Sequence, residues 1–438
     1  MSITARQTAF SILLKIDKDK AYSNIALDSA VRELSLDSTD CAFISRLVYG
    51  VTERKITLDY VISQFLNQPI KKLKAEVLVI LRLGTYQILY MDKIPDSAAV
   101  NESVSLAKNN KSSYASGVVN AVLRKVSLEK ENVFKSLSGD ERLSILYSAP
   151  IDLVRFLMHH YNEENAEEIL KSALNKKEIT IRVNTLKTTQ NELIEILEKE
   201  NISTEITSLK DALIINTKGA VYELDAYKKG LFYVEDVSSQ ICVKELGLKE
   251  NYKLIDICSA PGGKSFTASQ YMNNTGKIYS CDIHEHRVEL IKSGAERLGI
   301  KNIIPTVNDA TIFNEEFINA DCVLCDVPCS GLGIIGKKPE IKYKSLDEIK
   351  ELIPIQKEIL STASKYVKKG GTLVYSTCSI NPNENRKICD WFLKEHEDFY
   401  SVKVSPETER CIDEGDYLTL LPHINNCDGF FIAKFIKK

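Results

Sequence analysis

The chain has 438 residues, of which 44% are hydrophobic and 27% charged, and its formal net charge is −3. This length exceeds what one hydrophobic core usually supports, so we expect two or three domains of an ordinary globular protein. The 11 cysteines are an odd number scattered through a large chain, which argues against a disulfide framework and favours a reducing cytoplasm.

The first residues, "MSITARQTAFSILLKI", have helical spacing without the apolar core or cleavage site of a signal peptide. The longest apolar run, residues 73–91, contains Lys74, Glu76 and Arg82. We therefore expect a cytoplasmic protein without a membrane span.

Residues 1–135 are predicted to form an all-α domain. Ala9, Ile12, Leu13 and Ile16 follow the spacing of one helix face, and "EVLVILRLGTYQILYM" is apolar all round, as in a central buried helix. Residues 1–130 carry 18 Lys and Arg against 13 Asp and Glu, whereas the remainder is acidic. This part of the chain is therefore the better partner for a polyanion.

Residues 145–235 are predicted to form a small α/β domain. The segments "ITIRVNTLK", "TQNELIEILEKEN", "TEITSLKDALIIN" and "GLFYVEDVSSQ" indicate a strand, a helix and further strands.

Residues 236–438 alternate apolar strands with helices, which predicts a doubly wound parallel sheet covered on both faces. One long helix is expected from "SLDEIKELIPIQKEILSTASKYVKK", and "DGFFIAKFIKK" is expected as a last strand near the sheet edge. Ligands of such sheets bind beyond the carboxyl ends of the strands. That rule selects seven residues: Cys258, Ser259, Asp282, Asp309, Asp326, Cys329 and Cys378.

The loop "DICSAPGGKSF" is the first candidate binding element. Pro261, Gly262 and Gly263 predict a tight turn, and a helix that begins near Lys264 directs its free N–H groups at a ligand. Asp282, at the end of the next strand, can accept hydrogen bonds from a ribose diol. The loop indicates a site for a nucleoside-type cofactor. We favour a site for S-adenosylmethionine over a purely structural turn, a dinucleotide site or a phosphate-binding P-loop. The P-loop motif fits poorly because its first glycine is missing from this chain.

The cluster "DCVLCDVPC" has the spacing of a zinc site in part. Cys322 and Cys325 lie inside an apolar run, where residues three apart point to opposite faces of a strand, so we interpret both as core residues. His284 and His286 flank an exposed helix start and are interpreted as solvated. No metal site is expected.

An aspartate and two cysteines at the strand ends suggest a reaction in which a thiol attacks a carbon atom of the substrate: Asp326, Cys329 and Cys378. C5 of cytosine is a weak nucleophile, so its methylation requires a thiolate to add at C6 and a hydrogen-bonding group at N3 and the exocyclic amine, for which Asp326 is suited. Two packing cysteines with a capping aspartate remain the alternative. The residues alone do not indicate which thiol attacks.

The motifs "DICSAPGGKS", "DVPCSGLG" and "STCSINPNEN" resemble those of the RNA 5-methylcytosine methyltransferases. "IRVNTLK" and "YVEDVSSQ" resemble their small preceding domain, which is similar to an RNA-recognition (RRM-like) fold. "LRLGTYQILYMDKIPDSAAVNESVSLAK" and "GVVNAVLRK" resemble the NusB fold. This combination is similar to the ribosomal RNA small subunit methyltransferase B family (RsmB, also called Sun).

The resemblance implies a Rossmann-like domain that uses S-adenosylmethionine to methylate a cytosine of small-subunit ribosomal RNA, cytosine 967 of 16S rRNA. It implies Cys378 as the nucleophile, Cys329 as the residue that assists product release, and Asp326 as the residue that activates the base. The implied cofactor contacts are Cys258, Ser259, Ala260, Pro261, Gly262, Gly263, Lys264, Asp282, Asp309 and Asp326.

Two alternatives stay open. The chain could methylate another RNA, such as transfer RNA, or it could be a non-catalytic RNA-binding or antitermination module. We expect a monomer. The candidate phosphate contacts are Lys71, Lys72, Lys74, Arg82, Lys108 and Lys111.

Overall fold

The structure is a computed structural model, and it describes residues 4–19, 26–27, 38–110, 112–175, 178–217, 219–405, 408–410 and 414–438. The chain divides into two compact units. The first, the helical unit, comprises Met1–Asn175 and Ile335–Lys344, and the second, the sheet unit, comprises Lys176–Ile334 and Ser345–Lys438.

The helical unit contains eight α-helices among its described elements. They are α1 (Ala5–Asp19), α2 (Ser38–Glu53), α3 (Lys55–Gln64), α4 (Ala75–Tyr90), α5 (Asp96–Asn109), α6 (Ser116–Glu129), α7 (Gly139–Leu146) and α8 (Ile151–Ala173). The predicted central helix is confirmed, because α4 is buried on nearly all sides from Val77 to Ile88.

Residues 335–344 pack within the helical unit although they follow a loop of the sheet unit. Lys342 is buried, and its Nζ donates to the carbonyl oxygens of Glu53 at 2.7 Å and Tyr147 at 3.3 Å. Burial lowers the pKa of Lys342 to about 7. The Tyr343 hydroxyl donates to the carbonyl oxygen of Thr52 at 2.9 Å.

One expected phosphate contact is wrong. Arg82 is buried on α4, where it pairs with Asp59 and Asp17 at 2.7 Å each, so it stabilises the helical unit. Lys71, Lys72 and Lys74 are exposed, as is Lys108, whereas Lys111 lies outside the described residues.

The sheet unit begins with an antiparallel four-stranded sheet in the order β2-β3-β1-β4. Its elements are β1 (Ile179–Val183), α9 (Gln190–Lys199), β2 (Ser203–Ile206), β3 (Ala212–Asn216), α10 (Asp225–Lys228) and β4 (Phe232–Val234). The helix α9 begins with a capping box formed by Thr189 and Glu192.

The second sheet has eight strands, in the order β10-β12-β9-β8-β5-β6-β7 with β11 paired to β12. Strands and helices follow one another as α11 (Val237–Lys244), β5 (Lys253–Asp256), α12 (Gly263–Tyr271), β6 (Lys277–Asp282), α13 (Glu285–Leu298), β7 (Ile303–Val307), β8 (Ala320–Asp326), α14 (Leu346–Lys350), α15 (Leu352–Ser364), β9 (Val367–Thr377), α16 (Arg386–Glu395), β10 (Phe399–Val402), β11 (Leu418–Leu420), α17 (Pro422–Asn425) and β12 (Phe430–Lys437).

Strands β5 to β9 are parallel, which confirms the doubly wound fold. Strand β12 is antiparallel to β9 and is the second strand from the sheet edge, with β10 outside it, so its expected place near the edge is confirmed. The expected long helix is wrong. It is divided between α14 and α15, because Pro354 has no N–H to donate to the preceding turn.

A buried arginine connects the four-stranded sheet to the two helices that precede and follow β5. Arg182 on β1 donates to Gln270 on α12 at 3.0 Å and to Gln240 on α11 at 3.1 Å. The expected core positions of Cys322 and Cys325 are confirmed, since both are buried and they belong to core clusters on opposite faces of the sheet.

Candidate active site

The glycine loop joins β5 to α12 at the carboxyl edge of the parallel strands. Gly262 has a φ of +109°, and a Cβ atom there would lie 2.5 Å from the ring of Phe266. A residue with a side chain would strain the turn, so glycine is required at this position. The turn leaves the first N–H groups of α12 at the sheet edge, where the sequence predicts the cofactor.

A buried network holds this loop from below. Ser265 donates to Asp256 Oδ2 at 2.7 Å, and Ser259 and Ser280 lie 3.0 Å and 2.6 Å from the Ser265 hydroxyl. Burial raises the pKa of Asp256 to about 6. The side chain of Ser259 therefore supports the loop from inside.

Asp282 ends β6 and is held by two groups. The backbone N–H of His284 donates to its Oδ1 at 3.1 Å, and Arg287 pairs with its Oδ2 at 2.7 Å. Arg287 also donates to the carbonyl oxygen of Ala260 at 2.8 Å, so it joins two predicted cofactor segments. The sequence analysis missed Arg287. The feature that could have identified it is its position in the first turn of the helix that follows Asp282.

Asp309 follows β7 and is fixed by its own turn. Its Oδ1 accepts from the backbone N–H of Thr311 at 2.9 Å and from the Thr311 hydroxyl at 2.7 Å. The carboxylate is thereby held at the strand ends beside Asn308.

Asp326 ends β8 between two donors. Lys264 Nζ donates to Oδ2 at 2.7 Å, and the Ser376 hydroxyl donates to Oδ1 at 2.7 Å. Burial lowers the pKa of Lys264, but the Asp326 carboxylate raises it more, so the net pKa lies above its ordinary value. Lys264 is therefore a cation, and its hydrogen bond together with that of Ser376 holds Asp326 as an acceptor.

Cys329 and Cys378 lie in the loops after β8 and β9, and their sulfur atoms are 3.0 Å apart. The hydrogen bond to Cys378 and burial raise the pKa of Cys329 well above its ordinary value. Cys329 is therefore a neutral thiol that can donate to the sulfur of Cys378. Burial also raises the pKa of Cys258 well above its ordinary value, which makes that thiol unreactive.

A cavity of about 370 Å³ collects these groups at the carboxyl ends of five parallel strands. Of the predicted site residues, it is lined by Cys258, Ala260, Asp282, Asp309, Asp326, Cys329 and Cys378. The other predicted cofactor residues do not line it and belong to the supporting turn: Ser259, Pro261, Gly262, Gly263 and Lys264. His284 is exposed, as predicted, and stands at the cavity rim.

The polar and apolar side chains that line this cavity suit a nucleoside cofactor. Asp282 offers carboxylate oxygens to a diol, and Asn308 adds an amide at the same wall. Ile283 and Ile355 are 54% and 42% exposed and also line the cavity, which gives an aromatic ring apolar surface to contact. The residues present therefore suit S-adenosylmethionine.

Three family models match the chain. The 16S rRNA methyltransferase RsmB/F model matches residues 243–436, the NusB family model matches residues 3–128, and the RsmF/B-like ferredoxin-like domain model matches residues 150–222.

Curated proteins match over the full length. The chain is 37% identical to "Probable ribosomal RNA small subunit methyltransferase B" of Bacillus subtilis, with 99% of each covered. It is 35% identical to the protein of the same name from Synechocystis, with 99% of the chain and 100% of the relative covered.

Two solved structures extend the similarity. PH0851 is 26% identical with a TM-score of 0.84, and 100% of both chains is covered. A methyltransferase homologue from Pyrococcus horikoshii is 26% identical with a TM-score of 0.61, covering 69% of this chain and 100% of its own. Among the described residues, no helix is both long and apolar enough to cross a membrane.

Proposed function

Because the chain belongs to the ribosomal RNA small subunit methyltransferase B family of S-adenosylmethionine-dependent enzymes, we propose that it methylates C5 of a cytosine in small-subunit ribosomal RNA. The proposed target is cytosine 967 of 16S rRNA, and the reaction passes through a covalent bond between Cys378 and C6. The observation that carries the proposal is the contact of two cysteine sulfurs, 3.0 Å apart, in the cavity that Asp326 also lines.

S-adenosylmethionine supplies an electrophilic methyl group when bound. The Cys378 thiolate forms a bond to C6, and the electron pair of the C5–C6 double bond gives C5 the nucleophilic character that it otherwise lacks. C5 forms a bond to the methyl carbon as the bond from that carbon to the sulfonium sulfur breaks and leaves a neutral thioether, and a base then removes the C5 proton. The electrons of that C–H bond restore the double bond, and the C6–S bond breaks to return the Cys378 thiolate.

The assignment of attack to Cys378 is supported by the raised pKa of Cys329. Cys329 stays a protonated thiol, so of the two sulfur atoms in contact the one left to attack is that of Cys378. Once Cys378 is bonded to C6, Cys329 stands beside the bond that must break. We therefore assign Cys329 to product release.

Asp326 is assigned to orienting the base. Lys264 and Ser376 hold its two oxygens, and remaining lone pairs can accept hydrogen bonds from the exocyclic amine of cytosine. An acceptor fixed before binding orients the base without reorganisation during the reaction. A cytosine reaches this cavity only when unstacked, which costs least in single-stranded RNA.

The proposed domains are 1–135, NusB-like and helical; 145–235, the small α/β domain; and 236–438, the methyltransferase domain. The first two are assigned to phosphate and shape contacts with the RNA. The exposed Lys71, Lys72, Lys74 and Lys108 are the proposed phosphate contacts.

The proposal is tested with purified full-length protein, 16S rRNA transcript and S-adenosylmethionine labelled in the methyl group. Nucleoside analysis of the digested RNA should show the label in 5-methylcytidine. Label in another nucleoside, or label only in transfer RNA offered as a competing substrate, would refute the proposed substrate and position.

A further inference from the structure

Glu384 lies in the turn between β9 and α16 and is fully buried. It does not line the cavity, and neither the reaction chemistry nor the cofactor site uses it. A buried carboxylate is costly unless several donors satisfy its oxygens, so its contacts show what it stabilises.

One set of contacts reaches the loop of Cys329. The backbone N–H of Ser330, the next residue, donates to Glu384 Oε1 at 2.8 Å, and the Ser330 hydroxyl donates to Oε2 at 2.5 Å. Gln356 donates from one nitrogen to Glu384 Oε1 and to the carbonyl oxygen of Pro328, at 3.0 Å each. The residues on both sides of Cys329 are thus connected to this carboxylate.

A second set of contacts reaches the loop of Cys378. The hydroxyl of Ser379, the next residue, donates to Glu384 Oε2 at 2.8 Å and lies 2.8 Å from the Ser330 hydroxyl. Each reactive cysteine is therefore followed by a serine that donates to the same carboxylate.

The backbone of Glu384 is held separately. Tyr375 donates from its hydroxyl to the Glu384 carbonyl oxygen at 2.6 Å, and Asn385 donates to the carbonyl oxygen of Ser379 at 2.8 Å. The carboxylate is thus fixed by β9 and its own turn before any ligand binds.

We propose that Glu384 is a positioning residue that holds the loops of Cys329 and Cys378 together and so keeps their sulfur atoms in contact. The two carboxyl oxygens of Glu384 accept four hydrogen bonds, whereas a glutamine amide would replace one of these oxygens with an NH2 group that is itself a donor. Its consequence for turnover rests on the proposed function, whereas its effect on the distance between the sulfurs does not.

The sulfur contact is measured by oxidation with diamide. The two thiols form one S–S bond and lose two protons and two electrons, which reduce diamide to its hydrazine. Mass spectrometry of unreduced peptides follows the Cys329–Cys378 disulfide separately from the other cysteines. We expect Glu384→Gln to form this disulfide at least about tenfold more slowly than the unmodified chain. The matched control Glu395→Gln makes the same change on the exposed part of α16 and should oxidise at the unmodified rate.

Ser379→Ala removes one bond to the carboxylate and serves where Glu384→Gln does not fold. We expect about threefold slower oxidation for it. Oxidation of either folded variant within a factor of 1.5 of the unmodified chain, about the error of the assay, would overturn the inference.

Turnover separates this inference from the proposed function. Where the unmodified chain methylates rRNA, Glu384→Gln should lower kcat and leave KM for S-adenosylmethionine unchanged. Where the unmodified chain does not methylate rRNA, the proposed function fails, yet slow oxidation of Glu384→Gln still supports the positioning role.

Discussion

The ammonium group of Lys264 lies 2.7 Å from the carboxylate of Asp326, and this pair connects the glycine loop to the end of β8. The motif that carries Lys264 resembles a cofactor loop, yet the lysine side chain does not reach the cavity. Its hydrogen bond orients Asp326, the residue that we assign to orienting the cytosine base.

Lys264→Met should therefore impair base activation more than cofactor binding. We expect kcat to fall about 100-fold, because Asp326 loses the donor that fixes its orientation, while the Kd for S-adenosylmethionine changes less than about threefold. Steady-state kinetics and calorimetric titration measure the two effects. The exposed Lys277→Met is the control, and a large loss of cofactor affinity in Lys264→Met alone would instead make Lys264 a cofactor contact.

Cys378→Ala should abolish both methyl transfer and the covalent adduct with 5-fluorocytosine RNA, because the atom that bonds to C6 is removed. A denaturing gel of labelled RNA incubated with the protein shows the adduct. Cys41→Ala, at a cysteine of α2 that does not line the cavity, is the control, and its adduct should persist. An adduct that survives in Cys378→Ala would disprove this residue as the nucleophile.

Cys329→Ala should accumulate a covalent complex with unmodified RNA. Addition at C6 proceeds through Cys378, but release slows because the thiol beside the C6–S bond is missing. The complex appears as a shifted band on a denaturing gel in the presence of S-adenosylmethionine. If Cys329→Ala released product at the normal rate, its role would reduce to packing.

Glu235 should make stability depend on pH. Burial raises its pKa to about 7, whereas an unfolded glutamate titrates near about 4.3. The protonated carboxyl is therefore favoured by folding, and this stabilisation, present below about pH 4, is lost as pH rises through about 7.

Glu235→Gln should remove this loss. The melting temperature of the variant minus that of the unmodified chain should increase from pH 5 to pH 8. The corresponding difference in the free energy of unfolding is about 3 kcal/mol at most. Scanning calorimetry across that range provides the comparison, and Glu198→Gln, on the exposed face of α9, should show no such trend. Parallel pH curves for Glu235→Gln and the unmodified chain would contradict the assignment.

Local patterns predicted those features that depend on neighbours in sequence. The strand with Cys322 and Cys325 was correctly predicted as core, because alternation along a strand is a local property. The strand ends that form the cavity followed in the same way from the order of strands and helices.

Features that depend on distant partners were not predicted. Arg82 has the composition of a phosphate contact, but its partners Asp17 and Asp59 are 65 and 23 residues away, so its burial has no local signal. Glu384 lies within a recognised motif, yet only the fold brings Ser330 to it.

The most direct test is bisulfite sequencing of 16S rRNA from a strain that lacks this protein and is complemented with the unmodified gene or with Cys378→Ala. We predict that one cytosine, position 967, resists conversion with the unmodified gene and is converted with the variant. An identical pattern of protected cytosines in both strains would contradict the central claim that this chain methylates C5 of a cytosine in small-subunit ribosomal RNA through Cys378.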